Sequence, residues 1–202
     1  MRQPVPLEPG KYYHIYNRGV NGENIFREER NYGYFLNLYA KHLEPIVDTF
    51  AYCLLRNHFH SLIRVKNPLG LQNLTGLSRD ALDPIARRFS NFFNAYAKAI
   101  NRAYQRTGSL FETPFRRIEV TSERYFARLV YYIHWNPQKH GFVHDFREYP
   151  YSSYAALLSE RPTWLKRDVV LEWFNGLSGL ADFHQVLTEE KEIAELIGDD
   201  NL

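Results

Sequence analysis

Two apolar runs meet at a two-residue polar connection, and this constrains the chain more than any other feature. Val47 to Leu55 reads as a buried strand, Arg56-Asn57 as a tight connection and His58 to Val65 (HFHSLIRV) as a second strand. So short a connection joins antiparallel neighbours, because parallel strands need a crossover of a dozen or more residues. A lone hairpin is marginal in water, so the rest of the chain must extend and cover it. Tyr12 to Arg18 (YYHIYNR) alternates and is rich in rings, which predicts a strand, and Gly19-Val20-Asn21-Gly22 is a turn signal. Arg30 to His42 places Tyr34, Phe35 and Leu38 at helical spacing.

Lys66 to Pro84, with its Asn, Pro, Gly, Ser and Asp, is the candidate mobile loop. Ile85 to Arg106 is a long amphipathic helix with a ring face of Phe89, Phe92, Phe93 and Tyr96, stopped by Thr107-Gly108. Phe115 to Val120 (FRRIEV) alternates as a strand. Thr121 or Ser122 caps a further helix, expected to run to about Asn136 because Pro137 restricts the residue before it. The order β-α-β-β-α-β-α predicts an α+β fold: a ferredoxin-like split β-α-β core with an antiparallel sheet, plus a C-terminal helical extension. The expected division is a catalytic domain over residues 1–158 and the extension over 159–202. Leu171, Trp173 and Phe174 are expected to dock the extension, and the acidic end (TEEKEIAELIGDD) to fray.

The single cysteine, Cys53, excludes an internal disulfide and a multi-cysteine zinc site. MRQPVPLEPG shows no signal peptide and no apolar run is long enough to span a bilayer, so a cytoplasmic protein with no membrane partner is expected. The net charge is only +2, but residues 56–147 hold fifteen Lys and Arg against six Asp and Glu. A basic middle between acidic flanks points to a polyanion. Aromatic residues make up 16% of the chain; they serve as core rings or as faces on which unpaired bases stack.

Two short motifs carry chemistry. On a strand, residues i and i+2 share a face, so His58 and His60 project together and Phe59 points into the core. Two convergent imidazoles are half of a divalent-metal site. On a helix, i and i+4 share a face, so Tyr132 and Asn136 are neighbours, and a carboxamide oxygen suits Mg²⁺ or Mn²⁺. A cation bound by His58, His60 and Asn136 would polarise a phosphodiester that Tyr132 attacks. Tyr131, about 100° round the helix, is the alternative nucleophile. Arg18, Arg56, Arg116 and Arg117 are candidate DNA-phosphate contacts. His14 reads as structural.

These motifs resemble the HUH-type single-tyrosine transposases, above all the REP-associated tyrosine transposases and the small insertion-sequence transposases related to them. The resemblance runs from about Tyr12 to Tyr154. It rests on YHIYNRG at 13–19, NHFHSLI at 57–63, FSNFFNAYAKAINRAYQRTGSLFETPFRR at 89–117, YYIHWNPQKHGFV at 131–143 and YPYSSY at 149–154. It implies a ferredoxin-like core and an Mg²⁺ or Mn²⁺ cofactor. It also implies single-stranded DNA next to hairpins or palindromes as substrate, and a 5′ phosphate joined to tyrosine. His58 and His60 match the metal pair and Tyr132 the nucleophile. Asn136 falls where some relatives place Gln, a longer carboxamide. Hairpin binding without cleavage is the alternative function. A replication-type nickase and a metal-binding structural domain stand behind it, and the resemblance leaves monomer and homodimer both open.

Overall fold

In the computed structural model, which describes residues 5–67 and 84–185, β2 (Val47–Leu54) and β3 (His58–Val65) form the expected antiparallel hairpin. Its turn is closed by Leu55 N–H donating to His58 O at 2.8 Å. The tip is braced by Ile25 and Phe26, whose amides both donate to Arg56 O at 2.8 and 2.9 Å. β1 (Tyr12–Arg18) pairs with the other side of β3, and β4 (Arg116–Val120) with β1. The four-stranded sheet has the order β2-β3-β1-β4 and every pair is antiparallel. That is the split β-α-β arrangement: α1 (Glu29–His42) crosses from β1 to β2 over β3, and α2 (Pro84–Ala103) from β3 to β4 over β1.

Strand periodicity divides the sheet into two faces. Tyr13, Ile15, Leu54, Phe59 and Ile63 meet α1 and α2 in one core, joined by Phe35, Phe89, Phe92 and Tyr96. Leu62, Phe50, Ala51 and Cys53 meet α3 (Glu123–Lys139) on the other. Burial on both faces explains why β2 and β3 read as continuous apolar runs. Each fully buried ring adds roughly 2–3 kcal/mol of transfer free energy.

Several local expectations differ from the structure, α1 starting at Glu29 and β2 ending at Leu54, each one residue from the expected bound. In α1, Tyr32, Phe35 and Tyr39 are buried whereas Tyr34 is 42% exposed; the helix rotation is set by Phe35 packing on Phe59 and Phe92. α2 ends at Ala103, before Gln105 takes a positive φ of 52°. β4 begins at Arg116, one residue later than expected. α3 passes through Pro137 to Lys139 although the proline has no amide to donate to Ile133 O; the last turn is closed instead by His140 N–H donating to Asn136 O at 3.0 Å. Ser122, not Thr121, caps α3, its Oγ accepting from Tyr125 N–H at 3.2 Å. The candidate loop over 66–84 and the acidic end over 188–200 lie almost wholly or wholly outside the described residues.

Past α3 the chain returns to the outer edge of β2. Leu54 N–H donates to Tyr151 O (3.0 Å), Ser153 N–H to Tyr52 O (2.9 Å) and Lys166 N–H to Thr49 O (2.9 Å). α4 (Tyr154–Leu158), α5 (Arg167–Trp173) and α6 (Gly176–Gln185) follow. Trp173 packs on Phe126 with ring centroids 4.2 Å apart, and Leu171 and Phe174 join the α3-side core. Buried Asp48 holds Arg64 at 2.7 Å and Lys166 at 3.3 Å. Burial would raise its pKa, but the Arg64 hydrogen bond and the Lys166 charge outweigh this and hold the carboxyl below its ordinary range.

A buried polar chain fastens α6 to α3. His184 Nδ1–H donates to Leu180 O (2.8 Å), since a carbonyl only accepts. In the neutral ring Nε2 then accepts from His134 Nδ1–H (2.9 Å), and His134 Nε2 accepts from Ser153 Oγ–H (2.7 Å). Ser153 Oγ in turn accepts from Tyr52 N–H (2.9 Å). Every proton is assigned by its neighbours. No helix among the described residues is long and apolar enough to cross a membrane.

Candidate active site

β3 delivers His58 and His60 to the α3 face of the sheet while Phe59 is buried on the other, as period-two geometry requires. α3 delivers Tyr132 and Asn136 to the same place. The Tyr132 ring stands edge-on to His60 at 5.6 Å and to His14 at 6.3 Å. Tyr131 turns away, packing on Trp135, Phe146 and His184, and burial pushes its phenol pKa up.

The hydrogen bonds determine which atoms remain. Asn136 Nδ2–H donates to Tyr132 O at 3.0 Å, which points Oδ1 away from the helix axis. His58 Nδ1 lies 2.7 Å from Asn57 Oδ1, so Nδ1 carries the proton and Nε2 the lone pair. His60 Nδ1 lies 2.9 Å from His14 Nε2. What is left is His58 Nε2, His60 Nε2 and Asn136 Oδ1, all buried and without a hydrogen-bond partner. The Asn136 side chain lies close enough to His58 to act against the lowering of the ring's pKa, which places the carboxamide beside that imidazole. Unpaired buried polar atoms are costly, about 1–3 kcal/mol each. A divalent cation resolves all three at once, so this donor set fits one. Among the described residues no three His, Cys, Asp or Glu side chains group as a metal site, and the third donor available beside the two histidines is the Asn136 carboxamide.

The electrostatics favour the ligand form of the rings. Burial pushes the pKa of His58 down to about 3, helped by the charges of His140 and Arg18. Burial brings His14 to about 3 and holds His60 well below its ordinary value, with His14 and His58 adding to the effect on His60. Neutral imidazoles bind metals; imidazoliums do not.

Of the four arginines, two share the face of the histidines. Arg18 lies opposite His58 in the strand register and is paired with Glu112 at 2.6 Å. Arg116 lies opposite Tyr16, which itself lies opposite His60, and is exposed. Arg56 is exposed at the hairpin tip, lining a cavity of about 330 Å³ with Phe26, Tyr32 and Phe142. Arg117 points to the opposite face, its guanidinium 4.8 Å over the Phe115 ring, in a groove of about 780 Å³ beside α2.

Three residues join the site that the motifs did not single out. His14 hydrogen-bonds His60. His140 sits with its ring centroid 5.2 Å from that of His58. Lys139 holds its ammonium 5.4 Å from the Tyr132 ring centroid. Helical spacing carried a signal for the last two, since His140 is four residues past Asn136 and Lys139 seven past Tyr132.

No family model and no curated protein matches the sequence. Among solved structures, the chain is similar to a REP-associated tyrosine transposase bound to a REP hairpin, with a TM-score of 0.57 and 13% identity over 80% of this chain and 88% of that one. At that identity the likeness is one of fold.

Proposed function

We propose that this protein is a metal-dependent single-stranded DNA endonuclease and strand transferase acting near DNA hairpins, that is, a transposase with a covalent tyrosine intermediate. The observation that carries this is the convergence of three buried, unpartnered donor atoms, His58 Nε2, His60 Nε2 and Asn136 Oδ1, beside the Tyr132 ring. The likeness in fold to a hairpin-bound tyrosine transposase supports it.

Bound by His58, His60 and Asn136, Mg²⁺ or Mn²⁺ supplies Lewis-acid polarisation of a phosphodiester oxygen. Tyr132 Oη forms a bond to phosphorus as the bond from phosphorus to the 3′ oxygen breaks. The phenol proton is lost and the 3′ oxygen gains one, leaving a 5′ phosphotyrosine and a free 3′ hydroxyl. Reversal with a different 3′ hydroxyl joins strands, because the phosphotyrosine keeps the bond energy. A phenol with an ordinary pKa of about 10 needs help to ionise, and Lys139, poised over the ring, favours the phenolate. Arg116 and Arg56 offer exposed charge for the DNA backbone.

The test incubates labelled single-stranded oligonucleotides carrying imperfect palindromes with protein and Mn²⁺ or Mg²⁺, followed by a denaturing gel. A slow, metal-dependent band present in wild type and in Tyr131→Phe, and absent in Tyr132→Phe and His58→Ala, is expected. Hairpin binding on a native gel with no adduct in either metal would overturn the enzyme assignment in favour of binding alone.

A further inference from the structure

We infer that His14 is a positioning residue for the metal pair: it accepts the Nδ1–H hydrogen bond of His60 in the one tautomer of His60 that can bind a cation, and so holds that ligand in place. This rests on the metal site proposed above.

His14 is fully buried on β1, diagonally across the ladder from His60, with the two rings edge to edge and nearly coplanar, centroids 5.1 Å apart and planes 20° from parallel, as a hydrogen bond between ring nitrogens requires. Tyr16 lies beside both rings, its centroid 4.8 Å from that of His14 and 5.6 Å from that of His60, and Tyr132 stands edge-on to both, so His14 is held from several directions. The contact between His14 Nε2 and His60 Nδ1 is 2.9 Å and needs one proton between them. Two neutral arrangements supply it. In the first, His60 Nδ1–H donates to the lone pair of His14 Nε2; His14 then carries its proton on Nδ1, and His60 Nε2 is a free lone pair. In the second, His14 Nε2–H donates to His60 Nδ1, and His60 carries its proton on Nε2, where it blocks a metal.

The two outer nitrogens, His14 Nδ1 and His60 Nε2, are both buried without a partner. Each arrangement therefore strands one N–H and one lone pair, and the hydrogen bonds alone do not decide between them. A cation at His60 Nε2 decides, because only the first arrangement offers it a lone pair. His58 has no such choice, since the Asn57 carboxamide oxygen accepts only. The site thus combines one ligand fixed in advance with one set by a shift of two protons that leaves the pair neutral. A metal-bound histidine normally donates its second N–H to a carboxylate, carbonyl or water; here a second imidazole takes that place, and it can accept only with its own proton on Nδ1.

The experiment uses the full chain and Mn²⁺ itself, titrated by calorimetry and by loss of the free-ion paramagnetic resonance signal. His14→Phe keeps a flat ring in the buried position but cannot accept, and is expected to weaken Mn²⁺ binding by about 10- to 100-fold. His14→Gln restores an acceptor oxygen and is expected to recover most of that loss. In parallel, long-range nitrogen–proton correlation spectra of histidine-labelled wild type, saturated with diamagnetic Mg²⁺ or Zn²⁺, should show His14 protonated on Nδ1 and bare on Nε2. If wild type binds no divalent ion, the metal site itself is refuted. If wild type binds and a folded His14→Phe binds as tightly, the role of His14 alone is refuted. Should His14→Phe fail to fold, retention of the Nε2 proton in the metal-saturated spectrum refutes it equally.

Discussion

Acidification should unfold this protein well above the pH at which carboxylates titrate. Five imidazoles, His14, His58, His60, His134 and His184, are each at most 5% exposed. Burial lowers the pKa of every one: to about 3 for His14 and His58, to about 4 for His184, and well below the ordinary 6.5 for His60 and His134. Below pH 6.5 the unfolded chain takes up protons that the folded chain refuses. Stability is therefore complete above 6.5 and falls as pH falls towards the folded values. At pH 5 each buried ring costs about 2 kcal/mol, from 1.36 kcal/mol per pH unit. The rings form two hydrogen-bonded pairs and one single. If each pair resists one proton the loss is about 6 kcal/mol; if all five resist, it is about 10. Either is comparable with the whole stability of a domain, about 5–15 kcal/mol. Urea titrations followed by tryptophan fluorescence at pH 7.5, 6.5, 5.5 and 5 measure this directly. A midpoint unchanged between pH 7.5 and 5 would show that these rings are not buried neutral. Saturating Mn²⁺ should make the decline steeper, because the metal adds stability only where its ligands are deprotonated.

Five other substitutions probe three separate parts of the structure. Gly19→Ala would place a Cβ 2.0 Å from Glu23 O, a backbone atom, so a loss of about 1–3 kcal/mol or more is expected in urea unfolding; a wild-type midpoint would refute it. His184→Leu strands the buried His134 Nδ1–H, with an expected cost of about 1–3 kcal/mol and faster amide exchange in α6 than in α2; uniform exchange would argue against a local clamp. If the DNA assignment holds, Arg56→Ala and Arg116→Ala should each lower the slope of log affinity against log salt by about 0.7 on single-stranded DNA. Arg117→Ala, on the far face, should leave that slope unchanged.

What could be read from the sequence was whatever depends on local period. The strand period puts His58 and His60 on one face and Phe59 on the other, and the helical period brings Asn136 beside Tyr132. The tight Arg56-Asn57 connection implied the hairpin and, through it, the antiparallel sheet. What depends on register or rotation was hidden. Nothing in YYHIYNR says that His14 will meet His60, because that contact follows from the pairing of β1 with β3 across 46 residues. Tyr131 and Tyr132 differ only by the rotation of α3, which is set by Leu129, Val130 and Ile133 packing in the core. Pro137 misled the helix boundary: α3 continues two residues past it, and tertiary packing rather than local preference decides where the helix ends. The His134 to His184 contact joins residues 50 apart and has no local signature.

The strip running from Tyr151 to Lys166 has a consequence for self-association. In the order β2-β3-β1-β4 the outer strands are β2 and β4. β4 is five residues long and carries Arg116 and Arg117, which discourages a second molecule from adding to it. β2 is eight residues of VDTFAYCL, apolar and without an outward-facing lysine, and its outer amides and carbonyls are taken up by Tyr151, Ser153 and Lys166. A chain shortened before Tyr149 would leave that edge open, a ready template for the same strand of another copy. Such a fragment should form concentration-dependent aggregates by light scattering while the full chain does not, which makes the returning segment a guard against polymerisation as much as a part of the core.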